Sequence, residues 1–211
     1  MRQNSQLAQK IAEDLILGME RSKTPVPVGV SNRHFHITEE HWRRIFGERE
    51  PKMFRRVRQP GFWAAEDVVD IEGPKGRLSR VRLVAPYRKH TQVEVSRSDA
   101  VTLGLEPPVR GSGSLKGAAP IRLIGPKGSV DVPEALVIAQ RHLHFTPAEA
   151  RQLKVGDGDS MRVRAGAGGP RELVFENVLA RVSDKFALEF HVDTDEANAA
   201  WLKTGDFVHL V

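Results

Sequence analysis

Two stretches of the chain carry the same order of apolar and polar positions. Residues 28–38 read Val-Gly-Val-Ser-Asn-Arg-His-Phe-His-Ile-Thr, and residues 136–146 read Leu-Val-Ile-Ala-Gln-Arg-His-Leu-His-Phe-Thr. Each is an apolar run, an amide, Arg-His-x-His, one apolar residue and a threonine, and the second copy follows the first by 108 positions. Alternation with a period of two predicts strands, with His34 and His36 on one face of the first and His142 and His144 on one face of the second. Helices are predicted directly after. Thr38–Gly47 has Thr38 as N-cap and Gly47 as stop, and Thr146-Pro-Ala-Glu149 adds a proline at the first helical position and a capping-box glutamate. Each His-x-His is therefore expected at a strand end, just before a tight turn.

Elsewhere the pattern separates into one long helix and many short strands. Over residues 5–20, Leu7, Ala8, Ile11, Ala12, Leu15, Ile16 and Met19 make one apolar stripe of an amphipathic helix. Ser22 to Pro27, with two prolines, reads as a linker behind it. From residue 66 onward strands dominate: Val68–Ile71, Leu78–Val84, Thr91–Val95, Ile121–Ile124, Ser160–Arg164, Leu173–Phe175, Asn177–Val182, Ala187–Val192 and Phe207–Val211. Asp193 caps a short helix running to Trp201. Gly73-Pro-Lys-Gly76 and Gly125-Pro-Lys-Gly128 read as hairpin turns, and the Gly/Ser-rich 111–119 as a connector. Many short strands with few short helices predict a mainly β chain built of β-barrels.

Composition narrows the chemistry. The 211 residues suffice for one large domain or two small ones, and the formal net charge of +5 favours an anionic partner. Basic residues do not cluster into an arm, and one tyrosine with scattered phenylalanines offers no base-stacking platform, so no nucleic acid is expected. A small anion fits better. With no cysteine present, any metal must be held by histidine and carboxylate. The absence of a long apolar run or a signal-peptide pattern gives the expectation of a cytoplasmic protein with no membrane partner.

Two His-x-His pairs are two halves of metal sites, and two further residues can complete them. Glu94 shares a face with Gln92 opposite the core-like face of Thr91, Val93 and Val95. His191 ends a strand just before Asp193, the setting of both His-x-His pairs. Two sites of three ligands each, with an open fourth position, is the arrangement of catalytic rather than structural metal. His41, His90 and His209 lack this setting and are expected at the surface.

The runs from Val28 to His36, Gly73-Pro-Lys-Gly76 with Thr91-Gln-Val-Glu-Val-Ser96, Val137-Ile-Ala-Gln-Arg-His-Leu-His144, and His191-Val-Asp-Thr-Asp-Glu-Ala-Asn-Ala-Ala200 together resemble the phosphate propanoyltransferase family of phosphotransacylases. The resemblance spans roughly residues 24–202. It implies reversible exchange of short-chain acyl-CoA (propanoyl- or acetyl-CoA) plus phosphate with acyl phosphate plus coenzyme A. It implies two β-barrels, the first strand (23–32) joining 141–211, and 33–140 forming the other with a helical or irregular excursion near 38–67. Residues 1–22 stand apart as the N-terminal helix. At its dinuclear site, the family's ligands match His34, His36 and Glu94 for one divalent ion, and His142, His144 and His191 for the other, with zinc the expected metal. Its catalytic phosphate-binding arginine matches Arg88. Coenzyme A contacts match Val30, Ser31, Asn32, Asn198 and a basic position near Arg82. Members housed in bacterial microcompartments carry an N-terminal helix as encapsulation peptide, which would bring shell or lumen proteins as partners. A homo-oligomer is compatible with the resemblance.

One tension accompanies Arg88: a fully extended strand would carry it about 20 Å from Glu94, so the chain near Lys89–His90 must curl, or Arg88 must reach from a loop. Two other readings compete. His34-x-His36 with Glu40 and Gly47, and His142-x-His144 with Glu149 and Gly156, resemble a cupin metal motif, which would make the chain a two-domain metal-dependent oxygenase or isomerase. A basic β-barrel binding nucleic acid or phosphate, with structural metals, is the non-enzymatic alternative.

Overall fold

A computed structural model describes residues 2–211. In chain order its elements are α1 (Arg2–Lys23), β1 (Pro25–Ser31), β2 (His34–His36), α2 (Glu39–Phe46), β3 (Met53–Arg56), β4 (Trp63–Glu72), β5 (Arg77–Ala85), β6 (Gln92–Glu94), α3 (Arg97–Leu103), β7 (Val109–Arg110), β8 (Ala119–Ile124), β9 (Ser129–Ala139), β10 (His142–Phe145), α4 (Pro147–Gln152), β11 (Ser160–Ala165), β12 (Leu173–Val182), β13 (Glu189–Asp193), α5 (Thr194–Ala199) and β14 (Phe207–Leu210). The chain divides into two compact units. One comprises the residues up to Val30 with Arg141–His191 and Ala197–Val211, and the other Ser31–Gln140 with Val192–Glu196.

The first unit is a closed barrel in the order β1-β13-β10-β12-β11-β14. Val26, Leu143, Phe145, Val163, Val178, Ala180, Phe190 and Val208 fill it without exposure. The stretch expected as a linker is structured: α1 continues to Lys23 and β1 begins at Pro25. Proline is tolerated there because alternate residues of β1 make its bonds, the Val28 N–H donating to Asp206 O at 2.8 Å. β12 runs unbroken through the expected gap at residue 176, with Asn177 at positive φ of 54° and a register shift against β11. A β-bulge interrupts the alternation that sequence patterning relies on.

The second unit is also closed, through β4-β5-β2-β6-β9-β8 and back to β4, with β3 and β7 added at edges. Phe35, Ile37, Trp42, Ile71, Leu83, Val93, Leu123 and Leu136 lie in its core. The region near 38–67, expected to be helical or irregular, contains α2 and then two strands. β3 escaped the pattern because all four of its residues are exposed, so it has no buried face to set an alternation.

Both Gly-Pro-Lys-Gly segments are hairpin turns, and each docks on a helix end. Gly73 N–H donates to Gly76 O at 2.9 Å while Lys75 N–H reaches Leu103 O, at the end of α3, at 3.1 Å. Gly125 and Gly128 repeat this, Lys127 N–H reaching Ile45 O of α2 at 3.0 Å. These bonds satisfy carbonyls that helix ends leave unpaired. A Cβ at Gly125 would overlap Ile45 Cγ2, which is why the turn needs glycine there.

The helix α1 does not use its apolar stripe to cover the barrel. Leu7, Ile11, Leu15, Ile16 and Met19 are 51–64% exposed, while the Ala8 side chain lies outside the described ones. Arg21 ties the end of the helix down, donating to Leu153 O at 3.0 Å and Lys154 O at 3.1 Å. Among the described residues, no helix is long and apolar enough to cross a membrane.

Candidate metal centres

In the second unit, β2 and β6 pair antiparallel with His34 opposite Glu94, Phe35 opposite Val93 and His36 opposite Gln92. Phe35 and Val93 are in the core, so strand alternation puts His34, His36, Gln92 and Glu94 together on the opposite face. One donor atom from each of His34, His36 and Glu94 lies within 4.8 Å of the others. His34 Nδ1 faces Asn32 O at 3.0 Å and His36 Nδ1 faces Val84 O at 2.7 Å. A carbonyl can only accept, so each Nδ1 is the donor and each Nε2 is the nitrogen left facing the other side chains of the cluster. His34 Nε2 stands 3.6 Å from Glu94 Oε2, near the roughly 3.3 Å separating two donors that share a tetrahedral ion. Burial, reinforced by His34 and Arg88, lowers the His36 pKa to about 3, with Glu94 opposing. The ring is neutral at physiological pH, the form that binds metal.

In the first unit, β10 and β13 repeat the geometry, with His142 opposite His191, Leu143 opposite Phe190 and His144 opposite Glu189. Donor atoms of His142, His144 and His191 again lie within 4.8 Å of one another. His144 is buried with no hydrogen-bond partner for either ring nitrogen. Its pKa falls to about 2, first from burial and then from His142, His191 and Arg181. Phe186 stacks on it at 4.3 Å and 8°. Leaving a buried polar atom unsatisfied costs about 1–3 kcal/mol. A cation at the convergence of the three rings would remove that cost at one of the two nitrogens, so the donor set fits a metal ion.

All four ligand-bearing strands have one local design. The last ligand stands two residues before a helix N-cap: His36 before Thr38, Glu94 before Ser96, His144 before Thr146, His191 before Asp193. The Thr38, Ser96 and Thr146 side chains each accept the backbone N–H three residues on, and Asp193 accepts that of Glu196 at 2.9 Å. The cap fixes where the strand stops and hence which side chains stand at its end. Of the four helices, α3 is the one the sequence pattern did not predict.

The model of the family described as phosphate propanoyltransferase matches residues 27–203. The phosphate propanoyltransferase of Thermotoga maritima is 49% identical over 192 residues, 90% of this chain and 91% of that protein. Those of Salmonella typhimurium and Limosilactobacillus reuteri are 46% and 42% identical, each over 86% of this chain and over 86% and 84% of their own lengths. The chain belongs to this family. It is a family of transferases, and the cupin reading falls with it. Structurally, Glu40 pairs with Arg44 at 2.9 Å and Glu149 closes the capping box of α4, so neither joins its histidines.

The other residues that the sequence reading expected at the site fall as follows. Arg88 lies in the loop between β5 and β6, its backbone N–H on Ile37 O at 2.9 Å, so the chain does leave the extended path. Its Nη1 donates to Ser112 Oγ at 3.2 Å, and its guanidinium stands 5.3 Å from the Phe62 ring. Ser112 also receives Gln92 Nε2 at 3.3 Å, and Gln92 Nε2 donates to Glu94 Oε1 at 2.6 Å. The Gly/Ser segment read as a connector thus supplies a hydroxyl that links Arg88 to the β2–β6 centre. Its sequence gave no signal, because serine in a glycine-rich loop is ordinarily solvated.

Ser31 Oγ lies 3.4 Å from His34 Nδ1, and the exposed Asn32 side chain accepts the Arg33 N–H at 2.7 Å. Arg82 pairs in register with His34, its guanidinium bonded to Ala65 O and 4.9 Å from the Phe54 ring. Val30 and Asn198 belong to the first unit, where Val30 N–H donates to Thr204 Oγ1 at 3.1 Å and Asn198 is exposed. The arginine of each repeat is a clamp: Arg33 forks onto the buried Asp99 at 2.9 and 3.0 Å, and Arg141 donates to Glu176 O at 2.8 Å. Of the histidines expected at the surface, His90 is exposed. His41 is half-buried with Nδ1 2.8 Å from Thr91 Oγ1, and His209 is half-buried in β14.

Proposed function

We propose that the protein exchanges the coenzyme A thiol of a short-chain acyl-CoA for phosphate, reversibly, with one divalent ion held by His34, His36 and Glu94 and a second by His142, His144 and His191. The observation that carries this is the recurrence, in a chain of the phosphate propanoyltransferase family, of three converging donors on each of two strand pairs. Propanoyl-CoA is the first candidate substrate by the name of the relatives, and acetyl-CoA the second. Zinc is the expected metal, since neutral imidazole and carboxylate in a three-ligand set suit it.

Bound divalent metal would polarise the thioester carbonyl and stabilise the departing sulfur as thiolate. No protein nucleophile is required, in keeping with a chain that has no cysteine. Arg88 binds and orients phosphate through its planar fork, with Ser112 holding the guanidinium and Phe62 backing it. Glu94 is itself held by Gln92, which keeps the carboxylate aimed along its strand face. Val30, Ser31, Asn32, Arg82 and Asn198 are the residues assigned to coenzyme A. The exposed apolar stripe of α1 supports its role as an encapsulation peptide for a microcompartment, with shell or lumen proteins as partners. A thiol-release assay with propanoyl- and acetyl-CoA, with and without phosphate, tests the reaction. Phosphate-dependent release of free thiol is expected, and release that ignores phosphate would overturn it.

A further inference from the structure

The polar residue two positions before the last ligand of β6 and of β13 is not itself among the three donors in either unit. In β6 it is Gln92 and in β13 it is Glu189, each opposite the second histidine of its His-x-His pair. The two differ in chemistry in the same way as the ligands they accompany. Gln92 uses its amide N–H, donating to the Glu94 carboxylate at 2.6 Å. Its orientation is fixed from the other end, where Gly113 N–H donates to Gln92 Oε1 at 2.9 Å. Glu189 has only acceptor oxygens, and it meets a histidine: Glu189 Oε2 and His191 Nε2 are 2.7 Å apart. A donor accompanies the acidic ligand and an acceptor accompanies the basic one.

Two further observations set the role of Glu189. It is 5% exposed, and Gly29 makes the room for it. A Cβ on Gly29 would come within 2.6 Å of Glu189 Oε1 and 3.0 Å of His191 Cδ2, so glycine in β1 is what allows the carboxylate and the imidazole to sit side by side. The 2.7 Å separation is also shorter than the roughly 3.3 Å expected of two donors sharing one tetrahedral ion, and it matches a charge-assisted hydrogen bond. Glu189 is therefore placed to accept a proton-bearing nitrogen rather than to ligate.

We propose that Glu189 is a positioning residue of the β10–β13 centre: its carboxylate accepts the Nε2–H of His191, fixes that tautomer and ring orientation, and directs Nδ1 to the ion. The inference rests on the metal reading above. It makes His191 different from His34 and His36, whose Nδ1 atoms face backbone carbonyls and whose Nε2 atoms are left for an ion. A carboxylate partner raises the basicity of the ring more than a carbonyl does.

The test uses the full chain, stripped with a chelator and titrated with zinc against a chromophoric competitor. Wild type is expected to bind about two ions, and His142→Ala identifies the phase belonging to the β10–β13 centre. Glu189→Ala should weaken that phase by roughly 10–100-fold, Glu189→Gln by less because its carbonyl oxygen can still accept, and Gly29→Ala should weaken it by displacing the carboxylate. The other phase should not move in any of the three. Should these variants fold poorly, the wild type answers alone. With 15N-labelled histidine and zinc bound, His191 should show an exchange-protected, downfield Nε2–H proton and a metal-bound Nδ1. A wild type that binds no zinc overturns the metal reading itself. A wild type that binds two ions with Nε2 of His191 on the metal, or an unchanged phase in Glu189→Ala, overturns the role of Glu189 and leaves the metal reading standing.

Discussion

Replacing Arg88 by lysine keeps a positive charge beside the β2–β6 centre and removes the planar fork. The guanidinium is held by Ser112 Oγ at 3.2 Å and lies 5.3 Å from the Phe62 ring, so its plane is set before any anion arrives. A lysine ammonium would present one directed donor where arginine presents two in parallel. A hydrogen bond to a charged group contributes about 1.5–3 kcal/mol, so loss of one prong should raise the apparent KM for phosphate, or lower kcat, by roughly 10–150-fold. Arg88→Ala should lose more than Arg88→Lys. Ser112→Ala leaves the fork itself intact and loosens only its anchor, so a smaller loss than in Arg88→Ala is expected. Initial rates of thiol release across a phosphate series, at saturating acyl-CoA, separate the three variants, and the KM for acyl-CoA should change little. Unchanged phosphate kinetics in Arg88→Lys and Arg88→Ala would refute the assignment and move the phosphate site elsewhere.

Three further outcomes are expected. Elemental analysis should find close to two divalent ions per chain, and His142→Ala with His144→Ala should remove about one; full activity in chelated, metal-free protein would overturn the metal reading. Removing residues 2–20 spares Arg21 and its bonds to Leu153 and Lys154, so kcat should stay near wild type while size-exclusion chromatography shows less self-association; lost activity would make α1 part of the core. Gly125→Ala forces Ile45 aside and should cost about 1–3 kcal/mol as overpacking, read as a lower Tm with unchanged metal content.

Much of the candidate site was legible because the side chains that converge there follow short-range patterns. A strand shows the faces of His34, His36, His142 and His144 directly, and a cap marks where each strand ends. The partners that hold those ligands were less visible. Ser112 reaches Arg88 and Gln92 from a loop about 20 residues away in sequence, and a serine in a Gly/Ser run has no local feature that marks it. Glu189 was likewise read only as part of a strand, since its role depends on the vacancy at Gly29 in a strand 160 positions earlier. β3 and the joined β12 were missed for a simpler reason. One has no buried face and the other has a bulge, so alternation was absent or broken where the backbone still pairs.

The alternation of β2, β6, β10 and β13 ties the convergence of the candidate donors to folding fidelity. On each of these strands the residue next to a ligand is a fully buried core residue: Phe35, Val93, Leu143 or Phe190. A one-residue slip between β2 and β6, or between β10 and β13, would exchange the two faces at once. Each large apolar side chain so expelled would forfeit about 1.5–3 kcal/mol, and the donors would be scattered into the barrel. Hydrophobic packing thus proofreads the coordination geometry. If the six donors hold ions as proposed, the number of ions a preparation takes up would count the chains whose strands are in register, and a metal assay would measure folding yield as well as chemistry.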